Sequence, residues 1–119
     1  MAAVAKRKLS GSTDGRGVLV VATATAGTTV HTAVTGTTPG TYDEVWLYAV
    51  NSSGVSVKVT VEFGGVTSPN DLIEYTVPAE DGLHLLVPGL ILQNGVVVRA
   101  FAATANVVVV HGFVNAIAV

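Results

Sequence analysis

Residues 55–63 alternate strictly, with Val55, Val57, Val59, Val61 and Phe63 separated by Ser56, Lys58, Thr60 and Glu62. A period of two is the mark of a strand with one dry face and one wet face. The same valine and threonine idiom runs along most of the chain, with 24 Val and 14 Thr against three Ile, one Met and no Cys. Such β-branched side chains pack well on a pleated surface, so an all-β fold is expected. The 119 residues suit one domain with a single core.

Strands are expected near 18–24, 28–35, 43–51, 55–63, 71–77, 83–87, 95–103 and 107–115. Turn signals such as Thr38-Pro39-Gly40, Asn51-Ser52-Ser53-Gly54, Ser68-Pro69-Asn70, Pro88-Gly89 and Asn94-Gly95 lie between them. About eight short strands at this spacing indicate a two-sheet β-sandwich, jelly-roll-like, with an immunoglobulin-like sandwich as the alternative. Two hairpins are expected from turn chemistry. A Ser52-Ser53-Gly54 loop would set Ala49 against Val57, Leu47 against Val59 and Val45 against Val61, with Trp46 and Tyr48 on the other face beside Thr60 and Lys58. A Thr104-Ala105-Asn106 loop, Asn106 left-handed, would set Arg99 against His111 and Phe101 against Val109.

Charge divides the chain. Lys6, Arg7, Lys8 and Arg16 against Asp14 give residues 1–16 a net +3, which leaves −5 for residues 17–119 of the total of −2. Ser10, Gly11, Ser12, Gly15 and Gly17 break any period there, so residues 1–16 are expected to form a flexible basic N-terminal arm on a sandwich domain of residues 17–119. Fully extended, such an arm reaches on the order of 50 Å.

Charged residues make up 12% of the chain, about half the roughly 25% usual in soluble domains. Something besides water is expected to cover part of the surface. A membrane is not the expected cover: the uncharged stretch Ala100–Val119 contains Asn106, His111, Gly112 and Asn115, and its valines favour strand over helix. No secretory pattern follows the basic start, and the lack of Cys suits a reducing compartment. In the last strand Val108, Val110, Gly112 and Val114 share one face, and Val107, Val109, His111 and Phe113 the other. A two-layer sandwich covers only one of them, so the second is expected to meet another polypeptide, with a homo-oligomer, a trimer in particular, as the simplest arrangement.

Chemistry-bearing residues are sparse. His31, His84 and His111 fall on three different expected strands without metal-ligand spacing. The carboxylates gather at strand ends, no serine sits in a GxSxG elbow, and no Gly-rich loop precedes a helix. No catalytic, cofactor or metal site is expected, although Glu44 and Glu62 would be neighbours in the first hairpin. Four cations without an aromatic residue make the arm a poor nucleic-acid module and a reasonable tether to an acidic protein surface. Trp46 and Tyr48, two residues apart on one face, suit either a subunit contact or a carbohydrate-stacking platform. The residues expected at partner or oligomer contacts are therefore Lys6, Arg7, Lys8, Trp46, Tyr48, Arg99, Phe101, Val109, His111 and Phe113.

Three segments, Lys8-Leu9-Ser10-Gly11-Ser12-Thr13-Asp14-Gly15-Arg16, Pro88-Gly89-Leu90-Ile91-Leu92-Gln93-Asn94-Gly95 and Val98-Arg99-Ala100-Phe101-Ala102-Ala103, together resemble small β-rich virion structural proteins of tailed bacteriophages. The likeness extends over most of the chain. It implies a non-enzymatic virion component, made in the host cytoplasm, that decorates or cements the capsid by bridging subunits of the major capsid protein. A neck or tail component, or a carbohydrate-binding β-sandwich, is the alternative.

Overall fold

The computed structural model describes residues 3–119. Nine strands, and no helix among the described residues, run β1 (Ala3–Lys8), β2 (Val18–Leu19), β3 (Thr28–Thr32), β4 (Thr41–Asn51), β5 (Val57–Phe63), β6 (Leu72–Val77), β7 (His84–Leu92), β8 (Val97–Ala102) and β9 (Val108–Ala118). They make two antiparallel sheets. Sheet A has the order β1-β9-β4-β7, with β2 also on β9, and sheet B has the order β3-β8-β5-β6.

The pairings are nested. β5 pairs with β6, β4 with β7, β3 with β8 and β2 with β9. The chain is thus one long double ribbon folded over on itself, which is the jelly-roll arrangement. This overturns both expected hairpins. β4 and β5 lie in opposite sheets, as do β8 and β9, so each expected hairpin loop carries the chain from one layer to the other. Arg99 pairs with Thr29 and Glu62, while His111 pairs with Tyr48. Asn106 takes a left-handed conformation (φ 65°), as its place in the turn requires.

The alternation still selects the core. Val45, Leu47 and Ala49 from β4 and Val57, Val59 and Val61 from β5 are all buried, facing one another between the sheets and not side by side within one. Val87, Val98, Ala100, Val108 and Val110 belong to the same interior. Each valine buried there contributes roughly 1.5–3 kcal/mol before entropy is subtracted. Val55, the first member of the alternating run, is 66% exposed because the strand begins at Val57.

Two further expectations are corrected. Pro88-Gly89 lies inside β7, not in a turn, since an edge strand tolerates proline's missing N–H and the register shifts twice there as bulges. The basic segment is part of the sandwich: Ala3–Lys8 pair antiparallel with Phe113–Ala118. Leu9 then enters the core at 1% exposure. Ser10 and Gly11 hydrogen-bond to β3 through His31 Nδ1 and the Val30 carbonyl, and the chain returns to β9 as β2. Residues 3–19 therefore clasp the sheet edges together.

Candidate functional site

Alternation on β4 and β9 sends Tyr42, Glu44, Trp46 and Tyr48, and Val109, His111, Phe113, Asn115 and Ile117, to the outer face of sheet A. β7 adds Leu85, Pro88 and Ile91, and β1 adds Val4, Lys6 and Lys8. The face is apolar and aromatic at its centre. The Trp46 and Phe113 rings stack at 6.2 Å with planes 12° apart, and Lys6 Nζ stands 4.5 Å above the Phe113 ring centroid. On the other side Trp46 lies over Gly89, where an added Cβ would come within 2.8 Å of the indole. One row of contacts thus crosses four strands, from Lys6 through Phe113 and Trp46 to Gly89.

Glu44 fixes this row. Its Oε1 accepts hydrogen bonds from Trp46 Nε1 at 2.8 Å and Asn115 Nδ2 at 2.9 Å. These bonds, the indole's first, hold the carboxyl below its ordinary pKa against a smaller desolvation effect. A second device sits beneath the row at Gly112, where an added Cβ would stand 2.0 Å from the Trp46 carbonyl oxygen. Only glycine lets β9 approach β4 this closely.

The face is partly covered from within, which corrects the expectation that the second side of the last strand is bare. Gly17 packs on Val109 and His111, so closely that a Cβ there would meet the Val109 side chain at 2.3 Å. Phe113 is flanked by Trp46 and Lys6. What remains open are the two flanks, with Leu85 49% and Ile91 51% exposed on β7 and Val4 66% exposed on β1.

Of the expected contact residues, Lys6, Lys8, Trp46, Tyr48, Val109, His111 and Phe113 share this face. Arg7 points to the opposite side of sheet A, since it pairs with the inward Val114. Arg99 and Phe101 belong to sheet B and do not join them. Trp46 and Tyr48 accordingly lie far from Thr60 and Lys58, which are also on sheet B. Sequence reasoning missed Glu44, Asn115, Leu85 and Ile91; the shared parity of residues 44, 46 and 48 was the available signal for the first.

Several other polar groups are tied into the fold, whereas His84 Nε2 is buried without a hydrogen-bond partner among the described residues. His31 Nδ1 accepts the Ser10 N–H, so the ring proton is on Nε2 and is donated to Asp43 Oδ2 at 2.7 Å. This buried pair joins β3 to β4 across the two sheets. Glu62 is fully buried on sheet B, its carboxylate accepting from Gly27 N at 2.6 Å and from Thr25 Oγ1; it does not neighbour Glu44. His84 lies beside Tyr75 and 3.4 Å from Asp81. Among the described residues no three His, Cys, Asp or Glu side chains are placed to share a metal ion. Comparison with protein-family models, with curated proteins and with solved structures found no match to this chain.

Proposed function

We propose that this protein is a non-enzymatic virion structural protein of a tailed bacteriophage, which binds the assembled capsid through the outer face of sheet A and stabilises it by bridging neighbouring capsid subunits. The observation that carries this reading is the aromatic row Phe113–Trp46 set in a face whose flank exposes Leu85 and Ile91. A contiguous apolar patch rimmed by charge is what protein contact surfaces look like. The jelly roll is compatible with capsid proteins and with lectins alike, so it supports the reading only as analogy. Association as a homotrimer through the same face would present several copies of the rim to a lattice.

A ligand that binds the assembled lattice and not its free subunits stabilises the lattice by mass action. The test is survival of purified particles on heating, with this protein removed and then added back. Restored survival that Phe113→Asp abolishes is the expected result; unchanged survival with no particle binding overturns the proposal. A second reading has support in the partly open Trp46 and Tyr48 rings beside Glu44 and Asn115, an arrangement suited to stacking a sugar. Saturable glycan binding lost in Trp46→Ala would replace the capsid reading with that one.

A further inference from the structure

Beyond β1 no further strand of this chain pairs with sheet A among the described residues. All six residues of β1 are exposed. In an antiparallel edge strand, alternate residues turn both N–H and C=O outward, so β1 offers an unused ladder. Its side chains are graded along its length. Ala3, Val4 and Ala5 are small and apolar, whereas Lys6, Arg7 and Lys8 are cationic, and none of these three makes an ion pair within the described chain. Below this edge, on the inner side of sheet A, a groove of about 850 Å³ is lined by Ala3, Ala5, Val114, Ala116 and Ala118, with Arg7 at its basic end.

From these features we infer that β1 is a docking edge for an extended, acidic segment of a partner protein, which adds to sheet A as one more strand. The inference rests on the proposed assembly role and names the kind of partner segment that role would use. Backbone hydrogen bonds would supply affinity, and side chains on alternate faces would supply selection. Carboxylates at one half of the segment face Lys6 and Lys8 on the outer side and Arg7 on the inner side, while small apolar side chains at the other half enter the groove beside Ala3 and Ala5. A second copy of this chain fits less well. Two β1 strands paired with each other would line one seam with six cations. The β7 edge is broken by bulges and Pro88, and the β3 edge is occupied at Val30 by Gly11.

The test uses the full chain and a fluorescent Val-Ala-Val-Glu-Asp-Glu peptide, in that order and reversed, since the strand can add in either direction. One order should bind saturably, weaken with added salt, and slow amide exchange in β1. Binding should fall by roughly tenfold or more in K6E/R7E/K8E, whose sites are all at the surface, and in peptide methylated on alternate backbone nitrogens. Equal binding of the methylated peptide would overturn strand addition in favour of simple charge attraction. Failure of both peptide orders would also overturn it, as would β1 protection that rises with protein concentration alone, the sign of a second copy. Particle binding that Phe113→Asp abolishes, found together with no peptide binding, would remove this inference and leave the capsid reading standing.

Discussion

The two outer faces of the sandwich are built from the same alternating strands and differ in nearly everything they present. Sheet B turns Lys58, Glu74, Thr76 and Arg99 outward, with a Lys58–Glu74 ion pair at 2.5 Å whose partners are about half exposed (54% and 48%), while Thr60 and Glu62 on the same side are buried, Glu62 beneath residues 25–27. Sheet A turns Trp46, Tyr48, Phe113, Leu85 and Ile91 outward and pins its aromatic row with Glu44. A strand face suited to water needs no fixed side-chain geometry. The sheet A face has it, in stacked rings, a shared carboxylate and two glycines shaped to receive the indole and its strand. Pre-set rings lose little freedom on binding, which is why the proposed capsid contact is placed on sheet A.

The hardest test of that contrast is Gly112→Ala. With a Cβ driven against the Trp46 carbonyl, β9 must move from β4, and the unfolding free energy from urea titration should fall by about 3 kcal/mol. A loss under about 1 kcal/mol would mean the two strands slide apart easily and that the row is not rigidly based. The paired substitutions Phe113→Asp and Phe101→Asp come next, one on each outer face. The first should weaken particle binding by roughly tenfold or more and the second should leave it almost unchanged. Equal losses in a co-sedimentation assay would erase the distinction between the faces.

A smaller effect concerns pH. Glu44 has its pKa depressed in the folded state by the Trp46 and Asn115 hydrogen bonds. Its contribution to stability is therefore complete above the unfolded carboxylate range, near pH 4.3, and is lost as pH falls through the lower folded value. Trp46→Phe removes the larger cause, and carboxyl carbon NMR should show Glu44 titrating at higher pH than in the native protein. The smallest effect is expected on the other face: Lys58→Ala breaks an exposed pair and should change stability by less than about 0.5 kcal/mol.

Period-two patterning made the inward residues of β4 and β5 legible, because parity alone decides which side chains leave the water. It could not tell whether two facing sets belong to neighbouring strands or to opposite layers. Val45 and Val61 are buried in one core in either case, so the hairpin expectation satisfied the same burial. Turn chemistry was similarly local: Asn106 was read correctly as left-handed, but a left-handed residue serves a crossing between sheets as well as a hairpin. Lys6, Arg7 and Lys8 looked unattached because serines and glycines follow them. The strand forms because β9 continues to Ala118 and offers an open edge, with Leu9 as the apolar anchor beside it. Of the site, the clustering of Trp46 and Tyr48 was readable from their spacing, whereas their meeting with Phe113 depends on a long-range pairing that no local pattern encodes.

The nested pairing also sets an order in time. Of the paired strands only β5 and β6 are consecutive in the chain, joined by residues 64–71, so they form the cheapest first contact. Once they meet, β4 and β7 are held near one another, then β3 and β8, then β2 and β9, each closure shortening the loop left for the next. Zippering outward in this way leaves β1 for the end, because its template, β9, is itself among the last strands to arrive. Pulse-labelled hydrogen exchange during refolding should therefore protect Val59 and Val61 early and Ala3–Lys8 last, making the basic edge both the final piece of the fold to close and the first to open.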